Sequence, residues 1–219
     1  DIDQREDAMK RRERDLVCLF NALWYRSFPV ELGHTDIGRR AVWTTHISHI
    51  VKQIADFKGY FTRLEYGGRT DAVIQTADRE NWARIEWEWS QPRFAERVNE
   101  IAKLSDAMVD AKKANPKSEE VAVFIGYSDK RFHRDNMDAI AGQWKAKGDL
   151  IAFVVQFEIK NGSRHFLEVR TYTVRDGECT LRRTQPALPW DVKGSRWKLV
   201  ADASQLPADA AAELATEER

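Results

Sequence analysis

Three acidic side chains have the type and spacing that metal-dependent chemistry requires. Glu86 and Glu88 alternate with tryptophans in the segment WARIEWEWS, and Asp71 lies in the preceding segment RTDAVIQT. If both segments are β-strands, the two glutamates share one face about 7 Å apart, because each residue adds roughly 3.3 Å. Carboxylates gathered at one place raise each other's pKa unless a cation neutralises them. Oxygen ligands of this kind suit Mg²⁺ or Mn²⁺, which polarise a phosphoryl oxygen and activate water.

A second interpretation of the same pattern needs no metal. Glu86 and Glu88 could form the solvent-exposed face of an antiparallel sheet, with Trp87 and Trp89 packed into the core. A central strand covered by helices, however, does not carry two charges without a cost in free energy. The sequence alone leaves both interpretations open.

The elements that must position these acids follow from the hydrophobic periodicity. Three strand-like runs, YFTRLEY, RTDAVIQT and WARIEWEW, have short polar connections, and Gly67-Gly68 predicts a tight hairpin turn between the first two. The apolar run VAVFIGY predicts a buried strand that lies parallel to the third strand after a crossover helix. The helical periodicity predicts helices over about residues 5–26, 36–58, 93–114 and 135–146.

The last third of the chain changes to strands joined by tight turns. Asn161-Gly162 and Asp176-Gly177 predict two-residue hairpin turns, so we expect residues 149–184 to form an antiparallel meander. The segment SRWKLVA predicts one more strand. The Ala- and Glu-rich end of the chain predicts a weakly structured tail.

This order of elements resembles the restriction-endonuclease-like, or PD-(D/E)XK, nuclease superfamily, with Thr70-Asp71 on the second strand and Glu86-Trp87-Glu88 on the third. The resemblance covers about residues 36–126. It implies an α/β fold with an αβββαβ core and a mixed central sheet flanked by helices, here followed by the C-terminal antiparallel meander. The domains expected are an N-terminal helical lead (1–34), a nuclease-like α/β domain that includes the meander (35–205) and a weakly structured tail (206–219).

The resemblance also implies roles for the three acids. Asp71 and Glu86 match the metal-binding acids of the family, and Glu88 occupies the place of the family's lysine. Some members of the superfamily have E-x-E here, and the second acid then acts as a base or binds a second metal ion. Thr70 replaces the proline of the family motif, which takes no part in the chemistry.

The function implied by this resemblance is Mg²⁺- or Mn²⁺-dependent hydrolysis of DNA phosphodiester bonds through Asp71, Glu86 and Glu88. The alternative is a catalytically inactive nuclease-fold module for nucleic-acid binding or protein assembly. The missing lysine favours the alternative. So do the balanced 35 basic and 35 acidic residues, because a chain without net charge has no overall attraction to a polyanion. The sequence leaves the oligomeric state open; a homodimer would suit an active enzyme, since cutting both strands usually needs two active sites.

Basic residues that could contact DNA occur in several small sets along the chain, and the segment SDKRFHRDN is the most suggestive of them. Lys130, Arg131, His133 and Arg134 follow the predicted VAVFIGY strand, where a helix N-terminus could face the phosphate backbone. A solvated charged surface is the simpler interpretation of the same residues.

The composition favours a cytoplasmic protein without a membrane partner. Cys18 and Cys179 are too few for a disulfide framework, which favours a reducing compartment. No apolar run reaches the roughly 18 residues typical of a membrane span, and no segment resembles a signal peptide. The chain begins with Asp1 rather than Met, so we expect a further segment upstream.

Overall fold

The computed structural model describes residues 2–26, 28–29, 40–66, 70–93 and 100–195, with side chains from Arg11 onward except that of Ser163. Within these ranges the chain forms four α-helices and seven β-strands. The helices are α1 (Ile2–Arg26), α2 (Arg40–Lys58), α3 (Glu100–Ala114) and α4 (His133–Gln143). The strands are β1 (Phe61–Tyr66), β2 (Thr70–Gln75), β3 (Asn81–Glu88), β4 (Val121–Asp129), β5 (Leu150–Lys160), β6 (Ser163–Arg175) and β7 (Glu178–Pro186).

The seven strands form one mixed sheet in the order of the sequence, from β1 to β7. β4 is parallel to both β3 and β5, and the remaining neighbours are antiparallel. Parallel neighbours need a long crossover connection, which α3 provides between β3 and β4 and α4 provides between β4 and β5. The predicted α/β class, the antiparallel arrangement of β1 to β3 and the parallel β4 are confirmed.

One face of the sheet is covered by α1 and α2. Leu16, Phe20 and Trp24 of α1 are at most 1% exposed, and they pack with apolar residues of α2 against the sheet. The indole Nε1 of Trp24 donates a hydrogen bond to the carbonyl oxygen of Ala187 at 2.7 Å. The first helix therefore shares its core with the sheet and is joined to the segment that follows β7.

The opposite face is covered by α3 and α4. Ile101 and Leu104 of α3 and Ile140 of α4 are completely buried, and they pack around Phe124 of β4. None of the described helices is both long and apolar enough to cross a bilayer.

β3 divides its side chains between these two faces, as the alternating pattern predicts. Ala83, Ile85 and Trp87 belong to the core beneath α1 and α2, whereas the carboxylate of Glu86 contacts Lys103 of α3. Glu86 is 0% exposed. The interpretation of Glu86 as part of a solvent-exposed sheet face is therefore wrong, because α3 covers this strand.

The two predicted hairpin turns of the meander are confirmed. Asn161, Gly162, Asp176 and Gly177 all have positive φ, at 51°, 78°, 50° and 81°, as the two-residue turns that match strand twist require.

The fourth helix is displaced from its predicted range of 135–146. It ends at Gln143 because Trp144 takes an extended conformation (ψ 114°) and its indole Nε1 donates to the carbonyl of Gly148 at 3.0 Å. Several other predictions lie outside the described residues. These are the Gly67-Gly68 turn, the first residues of the helices predicted over 36–58 and 93–114, most of SRWKLVA, the domain boundary at 34/35 and the tail over 206–219.

Candidate active site

Asp71 of β2 and Glu86 of β3 are neighbours across two antiparallel strands. Ala72 pairs with Ile85, so Asp71 comes beside Glu86 in the same register. Asp71 Oδ2 accepts a hydrogen bond from the main-chain N–H of Trp87 at 2.8 Å, which fixes its carboxylate at the junction of the two strands. The structure thus brings together two of the three acids that the sequence singles out.

A lysine and a third acid reach this pair from α3. Lys103 Nζ lies 2.9 Å from Glu86 Oε2 and 2.6 Å from Glu100 Oε2. Lys103 directly precedes the buried Leu104, so it lies at the border of the helix face that packs on the sheet. An ammonium group from the crossover helix therefore stands beside the carboxylates of the strands.

Burial controls the protonation of this cluster. Burial raises the pKa of Glu86 to about 9, although the hydrogen bond from Lys103 opposes the shift. Burial also raises the pKa of Asp71, and the hydrogen bond from Trp87 opposes that shift. Burial lowers the pKa of Lys103, but hydrogen bonds to Glu100 and Glu86 outweigh it and leave this pKa above its usual value. At neutral pH the lysine is charged, and the Glu86 carboxyl is largely protonated.

The Glu86 carboxyl is also incompletely satisfied. Its Oε1 atom is shielded from solvent and has no hydrogen-bond donor in the described part of the chain. Buried polar atoms in folded proteins nearly always have a partner, so an exception calls for an explanation such as a bound ion or water. The fully buried carboxyl next to Asp71 therefore has an acceptor oxygen that a bound ion or water could contact.

Glu88 does not join this cluster. It is half-buried, and its Oε1 accepts a hydrogen bond from the main-chain N–H of Ser90 at 2.8 Å. Among the residues described, no group of three or more His, Cys, Asp or Glu side chains has the arrangement of a metal site. The carboxylates that meet are the pair Asp71 and Glu86, with Glu100 held behind Lys103.

A network of amide side chains anchors the chain as it leaves β3. Gln91 Oε1 accepts hydrogen bonds from the main-chain N–H of Asp129 and from Asn136 Nδ2, each at 3.1 Å. Asn136 Oδ1 in turn accepts from the main-chain N–H of Arg93 at 3.0 Å. Because Asn136 is completely buried on α4, the segment that carries Glu88 is attached to rigid parts of the fold.

Of the four basic residues predicted to contact DNA, Lys130, Arg131 and Arg134 are exposed and His133 is not. The guanidinium of Arg131 is paired with Asp129, with 2.7 Å between Nη2 and Oδ2. The imidazole of His133 lies 2.9 Å from Ser128 Oγ and 2.7 Å from the Tyr172 hydroxyl. Burial lowers the pKa of His133 to about 4. This histidine is neutral at pH 7 and faces inward, so it adds no positive charge to the surface.

A cleft of about 1050 Å³ lies next to the carboxylate pair. Lys103 lines one part of it, so the same side chain borders both the cleft and Glu86. The buried ion pair between Arg84 Nε and Glu120 Oε1, 3.0 Å apart, lies at another part of its lining. A substrate in the cleft would therefore contact Lys103, which in turn contacts Glu86.

Lys103 and Glu100 are the site residues that the sequence does not reveal. Their spacing of three residues indicates a common helix flank, but helical spacing carries no information about which strand that flank meets. A protein-family resemblance based on E-x-E also directs attention to Glu88 instead. Glu88 replaces the lysine of the family motif on β3, and only the packing of α3 on β3 shows that Lys103 supplies a basic group at the same place.

Comparisons with known proteins identify no relative. No protein-family model matches the sequence, and neither the curated proteins nor the solved structures give a significant match.

Proposed function

We propose that this chain is a metal-dependent nuclease that hydrolyses DNA phosphodiester bonds, with a restriction-endonuclease-like core formed by α2, β1 to β3, α3 and β4. The observation that carries the proposal is the contact of the fully buried Glu86 with Lys103, beside Asp71. Two acids that disfavour each other's charge and an adjacent ammonium group are the components that hydrolysis of a phosphate ester requires.

The carboxyl groups of Asp71 and Glu86 are of the kind that binds a hard cation such as Mg²⁺. Mg²⁺ is usually held by one or two carboxylates, with water and substrate phosphate completing its coordination. Asp71 and Glu86 would supply those two carboxylates, with Glu86 losing its proton as the ion binds, and the unsatisfied Oε1 of Glu86 supports this assignment. When bound, the ion would polarise the phosphoryl oxygen and lower the pKa of a bound water.

Lys103 would supply the positive charge that Glu88 cannot. Its ammonium is held between Glu86 and Glu100, so it is oriented before a substrate arrives. A preorganised donor of this kind stabilises the negative charge that develops on phosphate in the transition state. Glu88 stays a candidate for binding a second ion or for taking the proton of the attacking water.

Thermal melting with Mn²⁺ tests the metal site separately from catalysis. Binding to the folded state alone should stabilise the protein by about 2.7 kcal/mol when the ion is at 100 times its dissociation constant. Glu86→Gln replaces a largely protonated carboxyl by a neutral group of similar shape, so it should abolish the gain without lowering the melting temperature in the absence of metal. Asp138→Asn, an exposed change on α4, is the matched control and should keep the full gain.

Incubation of plasmid DNA with Mg²⁺ or Mn²⁺ tests the reaction. The parent protein should cut the DNA, whereas Asp71→Asn and Glu86→Gln should not. Cleavage that survives Asp71→Asn would place the chemistry elsewhere. Stabilisation by Mn²⁺ without any cleavage would favour the alternative, an inactive nuclease-fold module that retains its ion site. A melting temperature that does not respond to either ion would contradict the metal site itself.

A further inference from the structure

The cleft beside α3 is larger than the carboxylate cluster needs. Its volume of about 1050 Å³ matches the upper end of pockets that take small ligands, roughly 300–1,000 Å³. One wall is α3, where Ala107 and Ala111 keep the space open, and Gln75 and Arg84 contribute from β2 and β3. Lys103 stands where this space meets the carboxylates.

Glu120 provides a specific polar group in this cleft. Its side chain is only 1% exposed, and Oε1 is paired with Arg84 Nε at 3.0 Å. The other oxygen, Oε2, is also shielded from solvent and has no hydrogen-bond partner among the residues that the structure describes. Leaving a buried acceptor unsatisfied costs about 1–3 kcal/mol. A ligand with an N–H donor would recover that cost.

Cationic and aromatic groups line other parts of the cleft. Arg79 and Lys117 are exposed, and neither forms an ion pair with another described residue. Tyr66 is 37% exposed, and the guanidinium of Arg63 lies 4.8 Å from its ring centre. Lys and Arg contact phosphates, and exposed aromatic rings stack on unpaired bases. The lining thus offers groups for the phosphate and the base of a nucleotide, although the acidic side chains of Glu80, Asp110 and Glu119 also line the cleft.

We propose that this cleft binds a single strand of nucleic acid, with Glu120 accepting a hydrogen bond from the amino group of a base and with Arg79 and Lys117 contacting phosphates. The inference rests on the proposed function for the identity of the ligand. A duplex is disfavoured because duplex readers use broad surfaces, on the order of 1,000–2,500 Å², whereas the space here is a cleft of about 1050 Å³ enclosed between α3, the strands β2 and β3 and the segment that precedes β4. Among the bases, cytosine presents an amino group that carboxylates are known to accept from.

Fluorescence anisotropy in EDTA tests the binding without the reaction. Labelled oligo(dC) should bind at least tenfold more tightly than oligo(dT), whose base has no amino group, and more tightly than a duplex of equal length. Glu120→Gln should remove the preference by weakening oligo(dC) about tenfold, while oligo(dT) should be unaffected. Arg79→Ala and Lys117→Ala should weaken the binding of both oligonucleotides. Each change should also reduce the slope of the logarithm of the binding constant against the logarithm of the salt concentration by about 0.7. Lys147→Ala, at an exposed position away from the cleft, is the control for lost charge.

Thermal melting will show whether Glu120→Gln folds. If it does not, Arg79→Ala and Lys117→Ala still test the cleft, because both residues are exposed. If free cytidine monophosphate bound as tightly as oligo(dC), the ligand would be a single nucleotide, and the proposal that the cleft binds a nucleic-acid strand would be overturned. Stronger binding of the duplex would overturn it as well. Binding of oligo(dC) without cleavage in Mn²⁺ would support the cleft and contradict the nuclease. Cleavage that is unchanged in Arg79→Ala, Lys117→Ala and Glu120→Gln would contradict the cleft and leave the nuclease intact.

Discussion

At the level of single residues, the candidate site depends on Lys103. Its ammonium is held between Glu86 and Glu100, and its hydrogen bond keeps the pKa of the buried Glu86 carboxyl below the value that burial alone would give. We therefore assign Lys103 two roles at the site, one toward Glu86 and one toward a bound phosphate. It makes the buried acid tolerable in the free protein, and it would face a bound phosphate in the complex.

Replacing Lys103 by methionine should separate these roles. We expect DNA cleavage to fall by at least about 100-fold, the usual loss when one preorganised donor is removed. Stabilisation by Mn²⁺ should persist, because Asp71 and Glu86 remain. Lys103→Arg should retain part of the rate, and Lys113→Met, which changes an exposed lysine of the same helix, should retain all of it. Equal rates for Lys103→Met and the parent would remove Lys103 from the mechanism.

His133 is a second residue whose protonation has a measurable consequence. Its ordinary pKa is 6.5, and burial, helped by the Arg170 charge and opposed by Glu168, lowers it to about 4 in the folded protein. Between these two pH values the unfolded chain binds a proton that the folded chain excludes, so stability should fall as the pH decreases from about 6.5 to about 4. We expect a loss on the order of 1–3 kcal/mol.

Urea denaturation across this pH range checks the prediction. His133→Gln should lower the stability at pH 7 but flatten its dependence on pH, because no imidazole remains to be protonated. His49→Gln, at an exposed position on α2, is the control and should leave the difference between pH 7 and pH 4 as in the parent. An unchanged pH dependence in His133→Gln would show that other groups cause the acid sensitivity.

At the level of elements, β4 must lie close beneath α3 and α4 for the site to form. Gly126 lies where the ring of Phe124 passes over the strand, and a Cβ atom there would meet Phe124 Cε1 at 2.6 Å. Phe124 is completely buried, so its ring has little room to move. The absence of a side chain at Gly126 thus permits the close packing of this part of the sheet.

Two glycine-to-alanine changes should have opposite effects. Gly126→Ala should destabilise the fold by about 1–3 kcal/mol, the usual cost of overpacking a core. Gly142→Ala lies in α4 with no atom near the added methyl group, so it should stabilise the helix by up to about 1 kcal/mol. Chemical denaturation measures both. A neutral or stabilising Gly126→Ala would mean that Phe124 has another rotamer available.

At the level of the whole molecule, α1 joins distant parts of the chain. Its residues Phe20 and Trp24 belong to the core of the sheet, and Phe20 stacks on Phe153 of β5 with ring centres 3.8 Å apart. The hydrogen bond from Trp24 to Ala187 adds a link to the segment after β7. The helical lead expected over residues 1–34 therefore shares its core with the strands that follow.

Trp24→Ala should accordingly affect the whole fold. We expect a loss of about 3–5 kcal/mol, typical of removing a buried tryptophan, within one cooperative unfolding transition. Trp24→Phe should lose less, because one aromatic ring remains in the core and the change removes only the second ring of the indole and its hydrogen bond to Ala187. Tryptophan fluorescence and far-UV circular dichroism should report coincident curves. Separate transitions for the helix and the sheet would indicate an independent N-terminal unit.

The sequence by itself determined the local features of this protein. Alternation in WARIEWEWS placed Glu86 and Trp87 on opposite faces of β3, and the Asn-Gly and Asp-Gly pairs marked both turns of the meander. Such patterns are reliable because they arise from the backbone geometry of neighbouring residues, with period two in strands and positive φ in tight turns. The adjacency of the second and third strands also indicated that Asp71 could lie opposite the glutamates, and the observed register brings it beside Glu86.

Only the tertiary structure decided which side chains from separate elements meet. The arrival of Lys103 at Glu86, the turn of Glu88 toward Ser90 and the inward position of His133 depend on how α3 and α4 lie on the sheet. Helix packing is set by the shapes of many buried side chains together. A difference of a few ångströms in that packing separates an ion pair from an exposed charge, and no pattern within a single segment contains this distance.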